Sequence, residues 1–194
     1  IAEAERLRGT VIYLGGPFGS TVTGTCNIMT AATLAEGITT IEAAACEPEV
    51  IDLGEFLIRC GAKIQGLGTP RLIIEGVESL RGGEYEIIPD RIETATLTIA
   101  AGITRSSITL ENARLDHLAA VVDKLREIGL RIETIDAKFV RVDVPGELRP
   151  VDCAALPYPG IPTDAQAQLM ALLCTVPGMS AISDKVFPDR FLHT

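Results

Sequence analysis

EVIDLGEFLIRCGAKI (residues 49–64) and LDHLAAVVDKLREIGLRI (residues 115–132) decide how this sequence folds. Counting back from Gly61, residues Cys60, Leu57, Leu53 and Val50 form one apolar stripe; counting back from Gly129, Ile128, Leu125, Val121 and Leu118 fall at the same offsets. The spacing predicts two amphipathic helices, Glu49 to Gly61 and Leu115 to Gly129. Each glycine is placed to end its helix in the left-handed conformation, which costs a residue without Cβ nothing. A short β-like stretch follows each, Ala62-Lys63-Ile64 and Leu130-Arg131-Ile132. A second β-rich run comes next, Arg71-Leu72-Ile73-Ile74 and Phe139-Val140-Arg141-Val142.

Outward from these segments the likeness continues. Upstream helical patterns, Thr25 to Gly37 and Asp90 to Gly102, each end in Gly-Ile-Thr, and strand patterns Thr40-Ile41-Glu42 and Ile108-Thr109-Leu110 follow. The unit reads helix, strand, helix, strand, strand, with a short strand ahead of it, at a period of about 65–70 residues. A third copy is expected to begin at Pro162-Thr163-Asp164, with a helix through Gln168, Leu169, Leu172 and Leu173 toward Gly178 and a strand at Ala181-Ile182. The sequence stops at Thr194, where the second helix of that unit is due. An apolar face left uncovered there is expected of a piece of a longer polypeptide. The unit change at Ile87-Ile88-Pro89 marks a boundary near residue 88.

Of the 194 residues, 47% are hydrophobic and 22% charged, a globular composition. Seventeen basic against 26 acidic residues give a net charge of −9. That excludes non-specific hold on nucleic acid and attraction to an anionic membrane. No apolar run has the roughly 18 residues of a membrane helix. Cys26, Cys46, Cys60, Cys153 and Cys174 make no C-x-x-C pair, and with only His117 and His193 beside them no metal-ligand set is indicated. The free thiols fit a reducing cytosol. Cys60 and Cys174, among apolar residues, read as small buried hydrophobes, and His117 as a surface histidine.

Three helix starts carry polar residues: Gly19-Ser20-Thr21-Val22-Thr23-Gly24-Thr25, Pro89-Asp90-Arg91-Ile92-Glu93 and Pro162-Thr163-Asp164. A helix N-terminus suits phosphate, and the first start is small and hydroxyl-rich; Thr and Asp are equally good N-caps, so both readings stand. Asp164 is either a first-turn acid that suits the helix dipole or a general base. Glu47-Pro48-Glu49 reads as a helix start. Arg190 is either a clamp for phosphate or carboxylate or a solvated charge.

Several motifs occur together and in one order: Asn27-Ile28-Met29, Ala31-Ala32-Thr33-Leu34-Ala35-Glu36-Gly37, Glu47-Pro48-Glu49, Pro89-Asp90-Arg91-Ile92-Glu93-Thr94, Pro162-Thr163-Asp164 with Gln166-Ala167-Gln168, and Arg190-Phe191 with His193. In that order the sequence resembles the UDP-N-acetylglucosamine 1-carboxyvinyltransferases, a branch of the enolpyruvyl transferases, over nearly its whole length. The resemblance implies an α/β fold of repeated βαβαββ units in an inside-out barrel, with parts of two domains present. Residues 1–88 would be the last unit of one domain, and 89–194 the first unit and part of the second unit of the other. It implies transfer of enolpyruvyl from phosphoenolpyruvate to the 3′-hydroxyl of UDP-N-acetylglucosamine, the first committed step of peptidoglycan synthesis, in the cytoplasm and with no cofactor. The alternatives are a 3-phosphoshikimate 1-carboxyvinyltransferase or a non-catalytic sugar-nucleotide-binding relative.

By the same resemblance Asp164 matches the base that takes the sugar hydroxyl proton. Ser20, Thr21 and Val22 match a loop at the nucleotide diphosphate. Val186 and Phe187 line the sugar-nucleotide site, and Arg190 lies near the cleft. Glu47, Asp90, Arg91, Glu93 and Thr163 are candidate supporting residues. The sequence departs from the family at Thr23-Gly24, where Gly and Ala are usual, at Cys46 for arginine and at Ala95 for glycine. The family's catalytic loop, early Lys-Asn pair and later arginines have no counterpart here; they would come from the rest of the polypeptide.

Overall fold

A computed structural model describes residues 4–194. The chain divides into two compact units, Ile1–Ile88 and Pro89–Thr194.

In the first unit β1 (Val11–Tyr13) is followed by a small hairpin of β2 (Gly15–Gly16) and β3 (Gly19–Ser20). Then come α1 (Val22–Ala32), β4 (Ile38–Glu42), α2 (Pro48–Arg59), β5 (Lys63–Gln65) and β6 (Arg71–Glu75). The sheet order is β1-β4-β6-β5: β1 runs parallel to β4, as a helical crossover requires, and the other pairs are antiparallel. Strand residues alternate: Ile41, Leu72 and Ile74 face the helices and are buried. Met29 of α1 and Val50 and Leu57 of α2 close the same core. Beyond β6 the chain folds back on α2, where the Arg81 amide donates to the Cys60 carbonyl. Tyr85 stacks edge-on with Phe56, and its hydroxyl donates to Asp52 Oδ1 at 2.8 Å.

The second unit runs α3 (Arg91–Thr104), β7 (Ile108–Glu111), a 3-10 turn (Leu115–Leu118), α4 (Ala119–Ile128), β8 (Arg131–Thr134) and β9 (Phe139–Asp143). After these come β10 (Cys153–Ala155), a second 3-10 turn (Thr163–Ala165), α5 (Gln166–Leu173) and β11 (Ile182–Asp184). The sheet order β7-β9-β8 repeats β4-β6-β5, and the register repeats with it. Aligning Gly61 with Gly129 carries Ile64 onto Ile132 and Ile74 onto Val142, and each pair faces across its own sheet. The apolar stripe recurs in the burial of Leu118, Val121, Leu125 and Ile128. The repeat is therefore topological as well as textual. Helices α3, α4 and α5 share one core with the inner face of the sheet. Gly102 of α3 lies so near Leu172 and Leu130 that a Cβ would meet them at 3.1 and 3.4 Å.

Four local expectations change. Leu115–Leu118 forms a 3-10 turn, so the second amphipathic helix starts at Ala119. Gly102 does not end its helix: α3 continues to Thr104 and Arg105 adopts the left-handed conformation at φ 53°. The Gly-Ile-Thr match of the two copies is thus out of register, since Gly37 does have positive φ, at 87°, and Ile38 begins a strand. The third copy starts with β10, not at Pro162, and β10-α5-β11 is a parallel crossover like β1-α1-β4. Small alanines at Cys153–Ala155 gave no strand pattern to read.

Candidate active site

Five of the expected site residues, Thr163, Asp164, Val186, Phe187 and Arg190, gather around a sixth residue, Asp184, at the end of β11. Its side chain is 4% exposed, so its carboxylate must be satisfied internally. Oδ1 accepts the backbone N–H groups of Val186 and Phe187 at 2.8 and 2.7 Å. Oδ2 accepts the Thr163 hydroxyl at 2.5 Å. Arg190 Nη1 donates to Thr163 Oγ1 at 3.2 Å and to Asp164 Oδ1 at 2.7 Å. The Arg190 guanidinium also lies 6.0 Å from the Phe187 ring centroid. A guanidinium only donates and a carboxylate only accepts, so the Thr163 hydroxyl takes from Arg190 and gives to Asp184. Asp164 and Arg190 are about half exposed, so their ion pair sets position more than stability.

Asp164 lies in the 3-10 turn ahead of α5, whose start carries no side-chain cap bond. It is therefore a first-turn acid and not a helix cap, and its side chain is held by Arg190.

In the first unit the hydroxyl-rich start does cap. Thr21 Oγ1 accepts from the Gly24 amide at 3.2 Å. Thr25 donates to the Thr21 carbonyl and accepts from the Ala45 amide at 3.0 Å, which fixes the approach to α2. Ser20 ends β3 and Val22 opens α1. A Cβ at Gly24 would meet the Thr21 methyl at 2.5 Å, so the alanine usual in the family would require the Thr21 side chain to turn away. Glu47, 8% exposed, occupies the N-cap position of α2, with Pro48 in its first turn. Burial, then Glu49 and Glu47, push the Cys26 thiol up; burial and Glu47 do the same for Cys46. Neither is primed as a thiolate nucleophile.

Asp90 caps α3 through Ile92 and Glu93 amides at 2.7 and 3.1 Å. Arg91, 8% exposed, places its guanidinium 5.6 Å from the Tyr158 ring centroid. Glu93 is exposed in the same turn. Ala95 is buried in the core, so its methyl serves packing.

A sequence model of EPSP synthase (3-phosphoshikimate 1-carboxyvinyltransferase) matches residues 2–194. This chain belongs to the EPSP synthase family. Among its relatives, the UDP-N-acetylglucosamine 1-carboxyvinyltransferase of Methylacidiphilum infernorum (isolate V4) is 50% identical over 193 residues, 100% of this chain and 46% of that protein. The protein of the same name from Thermodesulfovibrio yellowstonii is 48% identical over 194 residues, again 100% of this chain and 46% of its own. The chain thus spans about half the length of these curated relatives. The enolpyruvyl transferase NikO from Streptomyces tendae matches in structure with a TM-score of 0.84 at 27% identity, over 97% of this chain and 47% of that one. EPSP synthase from Acinetobacter baumannii shares the fold at a TM-score of 0.57 and 16% identity, over 92% of this chain and 41% of its own. The expected α/β fold of the family is what the chain has.

Within this family member, sequence reasoning missed Asp184. A signal was present: an Asp after the apolar strand residues Ala181-Ile182, two and three positions before amides it can accept, is an Asx-type turn. Two readings are corrected. Cys174 is exposed, because it lies beyond the last turn of α5 and off its buried face. The His117 side chain is only 14% exposed, because the 3-10 turn rotates it inward beside Asp116. Among the described residues no group of three or more His, Cys, Asp and Glu side chains could hold a metal ion, and no helix is long and apolar enough to cross a membrane.

Proposed function

We propose that the polypeptide to which this chain belongs transfers enolpyruvyl from phosphoenolpyruvate to the 3′-hydroxyl of UDP-N-acetylglucosamine, the cytoplasmic reaction that commits the sugar nucleotide to peptidoglycan. Residues 1–88 form the last repeat unit of one domain, and 89–194 the first unit and part of the second unit of the other. The observation that carries this reading is identity of about one half, over the whole chain, to relatives bearing that name. Likeness to the solved EPSP synthase extends to the fold alone.

Asp164 is the base. The sugar hydroxyl adds to the phosphate-bearing carbon while the methylene carbon gains a proton from a general acid in the rest of the polypeptide and the hydroxyl proton passes to the Asp164 carboxylate; that methyl carbon then loses a proton as phosphate leaves, which restores the double bond. Arg190, held against Asp164, fixes where the carboxylate points. Val186 and Phe187 line the sugar nucleotide. Ser20, Thr21 and Val22 face its diphosphate at the start of α1, where backbone N–H groups and the dipole favour negative charge. Glu47, Asp90, Arg91, Glu93 and Thr163 support these groups.

Phosphate release by the full-length polypeptide tests the reading. Release with phosphoenolpyruvate and UDP-N-acetylglucosamine, and none with shikimate 3-phosphate, is expected. The opposite preference identifies the shikimate enzyme, and sugar-nucleotide binding without release a non-catalytic relative.

A further inference from the structure

We propose that Asp184 is a positioning residue, which holds the base turn and the sugar-nucleotide wall in one geometry. The inference rests on the functional reading above and adds a residue to it. Thr163-Asp164 and Val186-Phe187 come from different segments, the turn before α5 and the chain after β11. One buried carboxylate is bonded to both: Oδ2 to the Thr163 hydroxyl, Oδ1 to the Val186 and Phe187 amides. Strand β11 is itself fixed, since Ala155 pairs with Asp184 in the parallel ladder to β10. The carboxylate thus stands at the end of a paired strand and reaches two separate segments of the site.

The direction of the bonds matters. Asp184 accepts the Thr163 O–H hydrogen bond, so Thr163 Oγ1 presents lone pairs to Arg190. Arg190 Nη1 is then shared between Thr163 and Asp164 Oδ1. Asp184 therefore acts on the Asp164 carboxylate through two intermediates without touching substrate. An angstrom of displacement at a reacting group costs on the order of 10²-fold in rate.

Three variants of the full-length polypeptide separate the contributions. Asp184→Ala removes both sets of bonds. Asp184→Asn keeps an oxygen for the two amides but sets an NH2 donor where Oδ2 accepts the Thr163 hydroxyl. Thr163→Val removes that same bond from the other side. Steady-state kinetics with phosphoenolpyruvate and UDP-N-acetylglucosamine, beside thermal melts and amide exchange at Val186 and Phe187, give the readouts. We expect Asp184→Ala to lower kcat by about 10–100-fold, to raise KM for the sugar nucleotide, and to speed both amide exchanges. Asp184→Asn should lower kcat with KM and the two amides nearly unchanged. Combined with Thr163→Val it should add little more, because the pair shares one interaction.

Folded Asp184 variants with parental kcat and KM overturn the inference, as do fully additive effects of Asp184→Asn and Thr163→Val. Should Asp184→Ala not fold, the Asn and Val pair still decides. If the parent turns over and Asp164→Asn does not, while Asp184→Asn is indistinguishable from the parent, the functional reading stands and this one falls. A parent with no enolpyruvyl transfer overturns both.

Discussion

Asp164 and Thr21 look alike in sequence, as polar residues at helix starts, and the structure separates them. Thr21 Oγ1 accepts from the Gly24 amide, whereas Asp164 makes no cap and instead accepts from Arg190. The difference predicts opposite mutational outcomes. Thr21→Ala should cost about 1 kcal/mol of stability, and Thr21→Asn should restore most of it, as read in thermal melts. Asp164→Asn should leave the melt nearly unchanged. In the full-length polypeptide it should lower kcat by roughly 10²–10⁴-fold, with a smaller change in sugar-nucleotide affinity, because an amide cannot take the hydroxyl proton. Near-parental kcat would remove Asp164 from the mechanism. Asp184 was the residue hardest to see in advance. Its role comes from three partners in two segments, and spacing along the chain reports only the two amides that follow it.

Each repeat keeps its strand pairing but varies its polar details. The β7-β9-β8 sheet ends on Asp143, whose counterpart in the first unit is Glu75, at the matching end of β6, where it pairs with Lys63 alone among the described residues. Asp143 accepts from Arg141 at 2.9 Å, from Ser107, and from Arg131 at 3.4 Å. Arg141 first, then Ser107, holds its carboxyl down to about 2. A carboxyl depressed in the folded state contributes stability above its unfolded value, about 3.9, and loses it as pH falls through the folded one. Asp143→Asn should therefore melt below the parent at pH 7, and the gap should close between about pH 4 and pH 2. A gap that persists at pH 2 would mean that the charge is irrelevant and only shape was lost. Helix ends also differ between the copies. Gly61 and Gly129 were legible as terminators because positive φ demands a residue without Cβ, and both have it. Gly102 misled for the converse reason: glycine is also used where two helices nearly touch, and there Leu172 and Leu130 leave no room for more.

At the scale of the whole chain, two compact units carry between them the sheet-and-helix repeat, and the sequence spans about half the length of its curated relatives. The proposed chemistry needs a general acid to protonate the enolpyruvyl carbon, and the resemblance places that group in the rest of the polypeptide. The 194-residue chain by itself should therefore release no phosphate above background from phosphoenolpyruvate and UDP-N-acetylglucosamine, since loss of one acid–base partner alone costs about 10²–10⁴-fold. Full turnover by the purified chain would contradict the assignment of roles. The residues alone determined the period, the apolar stripes and the order of helices and strands. These depend on which side chains recur every third or fourth position, and burial of such a stripe follows from hydrophobicity without reference to the partner. The motifs likewise determined the family. Only the tertiary structure decided that α3 runs past Gly102 to Thr104, that β10 opens the third copy, and that Asp184 joins Thr163 to Val186 and Phe187. Each of those depends on a neighbour distant in sequence: the close approach of α5, a parallel strand across a crossover, a hydroxyl 21 residues away. The physical reason is that local pattern fixes what a segment buries, while packing fixes what it buries it against.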